Sequence, residues 1–261
     1  MIRRLLIIAL LCLTQIAVAD QRPVLSLVID DLGYSYQQGQ AAINLQGDHT
    51  YAIIPGATYS QKLATLAQQK DKEIILHLPL QASSSRAPME PNALNEKMDE
   101  DQITTNLNSM LATFANIKGV NNHMGSHLTS IDYFMRPIMD SIKSYNPGLY
   151  FLDSRTTALS VAHAEALNSG IDSISRDVFL DNDATNVESI RLQFQIWLKK
   201  ARDQGSAIAI GHPHENTIDF LRENLPQTEL SFNFVSVSKL IDMVYNSEDA
   251  YSLTQLQGSL N

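Results

Sequence analysis

Short apolar runs alternate along this chain with longer segments in which apolar residues recur every three or four positions. The runs have the length of buried strands, and the longer segments are typical of amphipathic helices. Because the strands of a covered parallel sheet are apolar on both faces, the runs predict a parallel sheet. The predicted strands are Val24–Ile29, Thr50–Ile54, Glu73–Leu80, a short strand from Gly119, Leu149–Asp153, Ile174–Asp181 and Ala207–Gly211, with Phe234–Val237 closing the domain.

The helical spacing lies between these runs and is strongest at Asn186–Gln204. The other predicted helices are Ser60–Lys70, Asp99–Asn116, Ile131–Ser144 and Val161–Asn168, with a helix or ordered loop at Tyr34–Leu45 and another helix before Phe234. Between the third strand and the next helix, Gln81–Asn95 contains serines and prolines. This composition predicts a long loop at the rim of a cleft.

The alternation of strand and helix runs about seven times without a linker or a repeat. A chain of 261 residues is long enough for one barrel-sized α/β domain or for two small ones. The unbroken alternation favours one domain, so we predict a single-domain α/β barrel or near-barrel of about seven parallel strands over residues 20–245. The polar residues 246–261 predict a flexible tail.

The N-terminal segment predicts export. Two arginines precede an apolar stretch from Leu5 to Leu13, and Ala17–Ala19 has the small-x-small pattern of a signal peptidase site. We therefore expect residues 1–19 to be a signal peptide and Asp20 to begin a mature periplasmic or secreted chain. The apolar stretch is short for a membrane span, and an uncleaved anchor is the alternative.

Charge and cysteine usage exclude several classes of partner and ligand. The chain has 19 Lys and Arg against 28 Asp and Glu, a net charge of −9, so we exclude nucleic acid as a partner. A neutral or cationic substrate such as an amino-sugar polymer is compatible with this charge. The single cysteine, Cys12, lies in the signal segment, so the mature chain is expected to have no disulfide and no thiolate ligand. No later stretch predicts a membrane span.

Polar functional groups follow one predicted strand after another. They are Asp30 with Asp31, His77, His123, Asp153, Asp181 and His212. Because ligands of parallel α/β folds bind at the carboxyl ends of the strands, this recurrence predicts a single site. Neighbouring strand residues point to opposite sides, so the two adjacent aspartates are predicted to differ in role, one binding a metal and one taking a proton. The alternative for the pair is a helix N-cap.

Asp31, His77 and His123 predict a metal site. A ligand set of oxygen and nitrogen suits zinc, with iron, cobalt or nickel as further options, and three protein ligands leave a position for water. A metal lowers the pKa of such a water, and a nearby carboxylate can then take the proton. The alternative for either histidine is a hydrogen-bonded core residue. His127, at His-x-x-x-His spacing from His123, is a reserve ligand.

His212 follows the last long strand and predicts a general acid that meets the substrate. The alternative is a turn residue before the proline that follows it. Asp153 and Arg155 are predicted to orient the base, or to fix the tautomer of a histidine ligand by a hydrogen bond. Arg176 and Asp177 fit the same role, or a buried ion pair.

Six segments, in this order, are similar to the motifs of the divergent polysaccharide deacetylase family. They are Ile29–Gly33, Leu76–Pro79, Asn121–Ser126, Phe151–Thr156, Arg176–Asp181 and Ile210–Pro213. The resemblance runs from about Pro23 to Ile241. It implies a distorted (β/α) barrel of the polysaccharide deacetylase type and an exported bacterial protein.

The same resemblance implies roles for individual residues. In the better-known deacetylases, the first aspartate of the pair is the base, the second binds metal beside two histidines, and a histidine after a late strand is the acid. Carried over by position, Asp30 is the base and Asp31 the metal ligand. His77 and His123 are the histidine ligands, and His212 is the acid.

The metal histidines depart from the usual arrangement. The better-known deacetylases take both from one His-x-x-x-His motif, whereas Gln81 stands four residues after His77 in this chain. The second histidine ligand is therefore expected from another strand. The segment Asn122–Gly125 also replaces the usual Arg-x-Pro.

These observations predict an exported, zinc-dependent hydrolase that removes N-acetyl or O-acetyl groups from a cell-envelope polysaccharide or peptidoglycan-type glycan. The altered histidine arrangement motivates a second hypothesis, a periplasmic glycan-binding or scaffold protein that keeps the fold without catalysis. A glycosidase is a third and less favoured hypothesis, because adjacent aspartates do not automatically lie on the two sides of a sugar ring.

Overall fold

The computed structural model of the chain describes residues 22–83 and 89–245. The predicted signal peptide (1–19) and the predicted tail (246–261) lie outside the described residues, as does part of the predicted loop Gln81–Asn95. Within the described ranges, no helix has the length and apolar character needed to cross a membrane.

The described chain alternates strands and helices as the sequence predicts. The strands are β1 (Val24–Leu32), β2 (Thr50–Ile53), β3 (Glu73–Leu80), β4 (Gly119–Met124), β5 (Tyr150–Asp153), β6 (Ser173–Ser175), β7 (Val178–Phe179), β8 (Ser206–Gly211) and β9 (Asn233–Phe234). The helices are α1 (Tyr36–Ile43), α2 (Ser60–Gln69), α3 (Glu100–Leu111), α4 (Asp132–Tyr145), α5 (Ala162–Asn168), α6 (Val187–Gln204) and α7 (Glu215–Thr228). Residues 237–245 are also helical.

The strands form one parallel sheet in the order β6-β5-β4-β3-β2-β1-β8-β7, and β9 pairs with β1. The sheet curls into a half-barrel surrounded by helices, which confirms the predicted distorted (β/α) barrel. Among the described residues, no pairing joins the two edge strands β6 and β7. The described residues form nine strands, more than the predicted number of about seven. The additional strands are among β6, β7 and β9, which have only two or three residues each.

Residues 174–181, which the sequence predicts as one strand, contribute to two. β6 pairs with β5 at one edge of the sheet, and β7 pairs with β8 at the other. The chain therefore crosses the opening of the half-barrel at Arg176 and Asp177. This crossing is the reason why the predicted strand is interrupted.

β1 buries both of its faces, as its apolar sequence predicts. Its residues 25, 27 and 29 join the large core that packs beneath the helices. Val24 and Val28 join a smaller core inside the curl, together with residues 237, 240 and 241 of the last helical segment. By the alternation of a strand, Asp30 continues this inner face towards the carboxyl end. The predicted site therefore lies inside the curl.

The alternative that the aspartate pair caps a helix is wrong. Asp30 and Asp31 both belong to β1. The following helix α1 begins after Ser35, whose hydroxyl accepts a hydrogen bond from the backbone N–H of Gln38. The carboxylates are consequently available for other contacts.

Candidate active site

The predicted site residues come together around one cavity of about 450 Å³. Asp30 and Asp31 are on β1, His77 is on β3 and His123 is on β4, and His212 directly follows β8. Parallel strands place their carboxyl ends at one edge of the sheet, and the curl turns these ends towards one another. The tertiary structure thus collects the five residues that the sequence predicts for catalysis and metal binding.

Asp30 and Asp31 both approach His77, although neighbouring residues of a regular strand point to opposite sides. Nε2 of His77 lies 3.6 Å from Oδ2 of Asp30 and 3.1 Å from Oδ1 of Asp31. The expectation of opposite sides is wrong because β1 is irregular here. Asp31 has a φ of 58°, and the pairing with β2 changes register between Ile29 and Leu32. Such irregularities re-aim side chains beside active sites.

Asp31, His77 and His123 present three donor atoms to a common point. Oδ1 of Asp31 lies 3.1 Å from Nε2 of His77 and 2.9 Å from Nδ1 of His123, and the two nitrogens are 3.2 Å apart. Around a tetrahedral zinc with bonds of about 2.0–2.1 Å, neighbouring ligand atoms lie roughly 3.3 Å apart. The spacing of these three atoms therefore fits a divalent metal of this size, which Asp31, His77 and His123 would hold.

Asn121 holds His77 in the tautomer that a metal needs. Its Oδ1 lies 2.7 Å from Nδ1 of His77, and its Nδ2 donates to Oδ1 of Asp30 at 2.9 Å and to the hydroxyl of Ser154 at 3.1 Å. Because the amide oxygen only accepts, Nδ1 of His77 carries a proton, and Nε2 is the nitrogen that faces Asp31 and would bind a metal. A buried amide thus connects His77 with the carboxylate of Asp30.

The two aspartates have opposite pKa shifts. Burial raises the pKa of Asp30 above its ordinary value, although the charge of His77 partly opposes this. Burial also acts to raise the pKa of Asp31, but hydrogen bonds with His123 and His77 hold it well below its usual range. Carboxylates whose pKa values are driven apart take different roles in catalysis. Asp31 therefore suits a permanent anionic ligand, and Asp30 suits a group that accepts a proton.

His212 and Asp181 form a second hydrogen-bonded pair at the cavity. Nδ1 of His212 lies 2.9 Å from Oδ1 of Asp181, whose Oδ2 accepts from the backbone N–H of His212 at 2.7 Å and from Thr217 at 2.9 Å. Nε2 of His212 lies 3.9 Å from Oδ2 of Asp31. Burial acts to lower the pKa of His212, but the hydrogen bond and charge of Asp181 raise it to about 9. The imidazole can therefore donate a proton at neutral pH.

Asp153 and Asp177 are predicted from the sequence to orient the base or to fix a histidine tautomer. The buried carboxylate of Asp153 accepts from the backbone N–H of Arg155 at 2.8 Å and from Ser160 at 2.8 Å. Asp177 accepts from the backbone N–H of Ile208 and lies 3.5 Å from Lys200. The described contacts of both carboxylates go to the backbone and to other side chains, not to the site histidines.

Arg155 and Arg176 line the cavity itself. Arg176 donates to the backbone carbonyls of Ser154 at 2.7 Å and Arg155 at 2.9 Å, so it ties together the loop after β5. Arg155 is exposed and is one of the residues that line the cavity. Neither guanidinium holds a histidine tautomer.

The reserve ligand His127 does not join the three donor atoms. Its Nε2 lies 2.7 Å from Glu96, at the surface. A second group of possible ligands, Asp181, His212 and His214, has donor atoms within 4.8 Å of one another. There the hydrogen bond between His212 and Asp181 already uses Nδ1, and His214 is exposed.

Two residues to which sequence reasoning gave no individual role are central to the site, Asn121 and Asp181. A period of two along β4 puts Asn121 and His123 on the same face, and this spacing was the available signal for Asn121. Asp181 stands at the end of a predicted strand. Its pairing with His212 depends on how β7 meets β8, which the sequence does not reveal.

Comparison with known sequences identifies similar proteins. Residues 27–241 match the profile of a family described as divergent polysaccharide deacetylase. The protein YibQ of Escherichia coli (strain K12), described as uncharacterized, is 35% identical over 234 residues, which cover 90% of this chain and 71% of that protein. An uncharacterized protein of Haemophilus influenzae (strain ATCC 51907 / DSM 11121 / KW20 / Rd) is 35% identical over 206 residues, covering 78% and 72%.

Comparison with solved structures gives a similar fold. The crystal structure of an uncharacterized protein from Agrobacterium tumefaciens C58 superimposes with a TM-score of 0.78. The two chains are 23% identical, and the match covers 84% of this chain and 89% of that one. At this identity the likeness shows a shared architecture, in agreement with the half-barrel described above.

Proposed function

Because this chain belongs to the divergent polysaccharide deacetylase family, we propose that it is a metal-dependent hydrolase that removes acetyl groups from a cell-envelope polysaccharide. The proposed metal is zinc, held by Asp31, His77 and His123. The observation that carries the proposal is the grouping of three metal-donor atoms, a carboxylate and a buried imidazole around one cavity.

The metal, when bound, supplies a Lewis acid that polarises the acetyl carbonyl and makes water a better nucleophile. The donor set is consistent with such an ion, since it contains one carboxylate oxygen and two imidazole nitrogens and no thiolate. Asn121 accepts from Nδ1 of His77, so Nε2 is the nitrogen that would bind the ion once its own proton is displaced. The metal-free chain also holds Asp31 as an anion, because its pKa is lowered.

Asp30 is the proposed general base. Its side chain is 4% exposed, and its Oδ1 accepts from Asn121, which leaves Oδ2 directed towards His77 at 3.6 Å. A carboxylate with a raised pKa takes a proton from the attacking water more readily than an ordinary surface aspartate. The position beside the three donor atoms puts this base next to the nucleophile.

His212 is the proposed general acid. Its Nδ1 is held by Asp181, so Nε2 is the atom that faces the cavity and gives a proton to the departing nitrogen or oxygen of the sugar. Phe179 packs edge-on against the ring at a centroid distance of 5.2 Å and limits its orientations. A base and an acid that lie at different strand ends can serve opposite sides of the acyl group.

We extend the proposal to location. Residues 1–19 have the pattern of a signal peptide, and residues 20–245 make up the proposed catalytic domain. A polysaccharide or peptidoglycan-type substrate lies outside the cytoplasmic membrane, which agrees with export. Cleavage after Ala19, measured by N-terminal sequencing of the protein from the periplasm, is the expected result.

Acetate release tests the proposed activity. The zinc-loaded mature chain is incubated with chito-oligosaccharides, peptidoglycan and O-acetylated glycans, and free acetate is measured. We expect release from at least one of them and its loss in Asp30→Asn, which keeps the metal ligands. Binding of a glycan without any acetate release would support the non-catalytic glycan-binding hypothesis instead and would overturn the proposed activity.

A further inference from the structure

We propose that Arg155 is a binding site for an anionic group of the substrate, a carboxylate or a phosphate on a sugar near the acetyl group that is removed. This inference rests on the proposed function and adds a substrate class to it. It follows from the charge, the surroundings and the backbone of Arg155, not from any role in holding the metal.

The charge of Arg155 is exceptional for its place in the molecule. The chain carries a net charge of −9, yet an exposed arginine lines the cavity. No carboxylate in the described ranges forms a salt bridge with it, whereas the arginines 136, 191 and 222 each have an acidic partner within 4.0 Å. Arg155 is therefore available to a ligand.

The backbone of Arg155 is fixed although its side chain is exposed. Its φ is 48°, in the left-handed region that non-glycine residues rarely adopt. The N–H donates to buried Asp153 at 2.8 Å, and the carbonyl accepts from Arg176 at 2.9 Å. Backbone strain that the surroundings hold in place is typical of ligand-binding positions. These bonds fix the backbone position at the cavity from which the guanidinium extends.

Arg176 is not the primary anion contact. Its Nε and Nη2 are used by the carbonyls of the loop, and its charge faces the carboxylates of Asp30, Asp153 and Asp177. Arg176 therefore serves as a support whose charge is already compensated. Arg155 is left as the cation that a substrate can reach.

The rest of the cavity agrees with an anionic sugar. A divalent metal bound at Asp31, His77 and His123 would offset the charges of Asp30 and Asp31 and reduce their repulsion of an acidic substrate. Asn182 lines the same cavity and supplies an amide group for sugar oxygens. A guanidinium binds a carboxylate or a phosphate with two parallel hydrogen bonds, which a neutral hexosamine does not offer. The substrate class is thus an acetylated glycan with uronate, lactyl or phosphate groups.

A binding experiment tests the site without relying on turnover. Isothermal titration calorimetry compares the zinc-loaded and the metal-free protein with chitotetraose, which is neutral, and with a hyaluronan tetrasaccharide, which carries carboxylates beside acetamido groups. N-acetylglucosamine and its 6-phosphate form a second pair. The carboxylate pair and the phosphate pair distinguish the two sources of negative charge.

We expect each anionic probe to bind roughly tenfold more tightly than its neutral partner, the size of one charge-assisted contact. Arg155→Gln should abolish this preference, Arg155→Lys should keep part of it, and Arg191→Gln should not change it. Arg191→Gln is the control variant. It removes the same charge from helix α6, at a residue that does not line the cavity. The preference should also decrease with salt.

Equal affinities within both pairs, or a preference that survives in Arg155→Gln, would overturn the anion site. A different result would reject the proposed activity alone: the wild type binds an anionic glycan through Arg155 but releases no acetate from any substrate. If acetate is released without any charge preference, the activity stands and the anion site is rejected.

Discussion

Asn121 donates a hydrogen bond of 2.9 Å to Asp30, although their strands β4 and β1 are separated by two others in the sheet. The contact crosses the inside of the curl and connects the proposed base with His77, the proposed metal ligand on the other side of the amide. One buried side chain therefore positions both parts of the site. Its two functions can be separated by mutation.

We expect Asn121→Leu to weaken metal binding and activity by about 10–100-fold, since it removes both contacts. Asn121→Asp keeps an acceptor for Nδ1 of His77 but places a second carboxylate beside Asp30. It should retain most of the metal affinity and lose activity. Chelator competition and acetate release measure the two effects. Equal losses of metal in both variants would contradict the role of the amide oxygen at His77, and full activity in Asn121→Asp would show that the contact with Asp30 is not needed.

The two adjacent aspartates are expected to separate metal content from turnover. Asp31→Ala removes the carboxylate that touches both histidine ligands, so bound zinc should fall from about one ion per chain to almost none. Asp30→Ala should keep the ion and lose activity. Inductively coupled plasma mass spectrometry after dialysis gives the stoichiometry. Full metal content in Asp31→Ala would contradict the ligand assignment.

His212→Ala tests the proposed proton donor. Its rate should fall by roughly 10²–10⁴-fold, the usual contribution of a general acid, while zinc content and thermal stability stay close to those of the wild type. His214→Ala is the matched control, because His214 is exposed two residues further on. An unchanged rate in His212→Ala would remove the proposed acid, and a loss of zinc would make His212 a ligand.

The alkaline limb of the pH profile should depend on Asp181. Asp181 helps to raise the pKa of His212 to about 9, and a general acid works only while it is protonated. Activity should therefore fall as the pH rises through this pKa. In Asp181→Asn the limb should move to lower pH, because the charge that stabilises the imidazolium is lost. If the alkaline limb of Asp181→Asn does not move, a group other than His212 causes it.

Acid should destabilise the fold through His49. Burial lowers the pKa of His49 to about 4, whereas a histidine of the unfolded chain has a pKa near 6.5. Between these values the unfolded chain binds a proton that the folded chain does not. The free energy of unfolding should therefore decrease as the pH falls from 6.5 to 4, with ~3 kcal/mol attributable to this residue.

Urea denaturation of His49→Gln at several pH values measures this contribution. A glutamine side chain does not titrate, so the variant should lose stability less steeply than the wild type as the pH falls through this window. His214→Gln changes an exposed histidine and should follow the wild type. Identical pH slopes for His49→Gln and the wild type would refute the role of His49.

The sequence by itself determined the architecture and the edge of the sheet at which the site lies. The apolar run from Val24 to Ile29 predicts a strand buried on both faces, and such strands need helices on the outside. Polar residues that follow runs of this kind collect at the carboxyl edge. The prediction that Asp31, His77 and His123 form one group follows from that rule, and the structure brings their donor atoms within 4.8 Å of one another.

Only the tertiary structure decided how the side chains meet. The left-handed conformation of Asp31 turns both aspartates towards His77, against the alternation expected for a strand. Asn121 reaches Asp30 because the sheet curls, and Asp181 reaches His212 because β7 pairs with β8. Local periodicity specifies which face a residue occupies, whereas contacts between distant segments depend on curl, register and irregularities of the whole sheet.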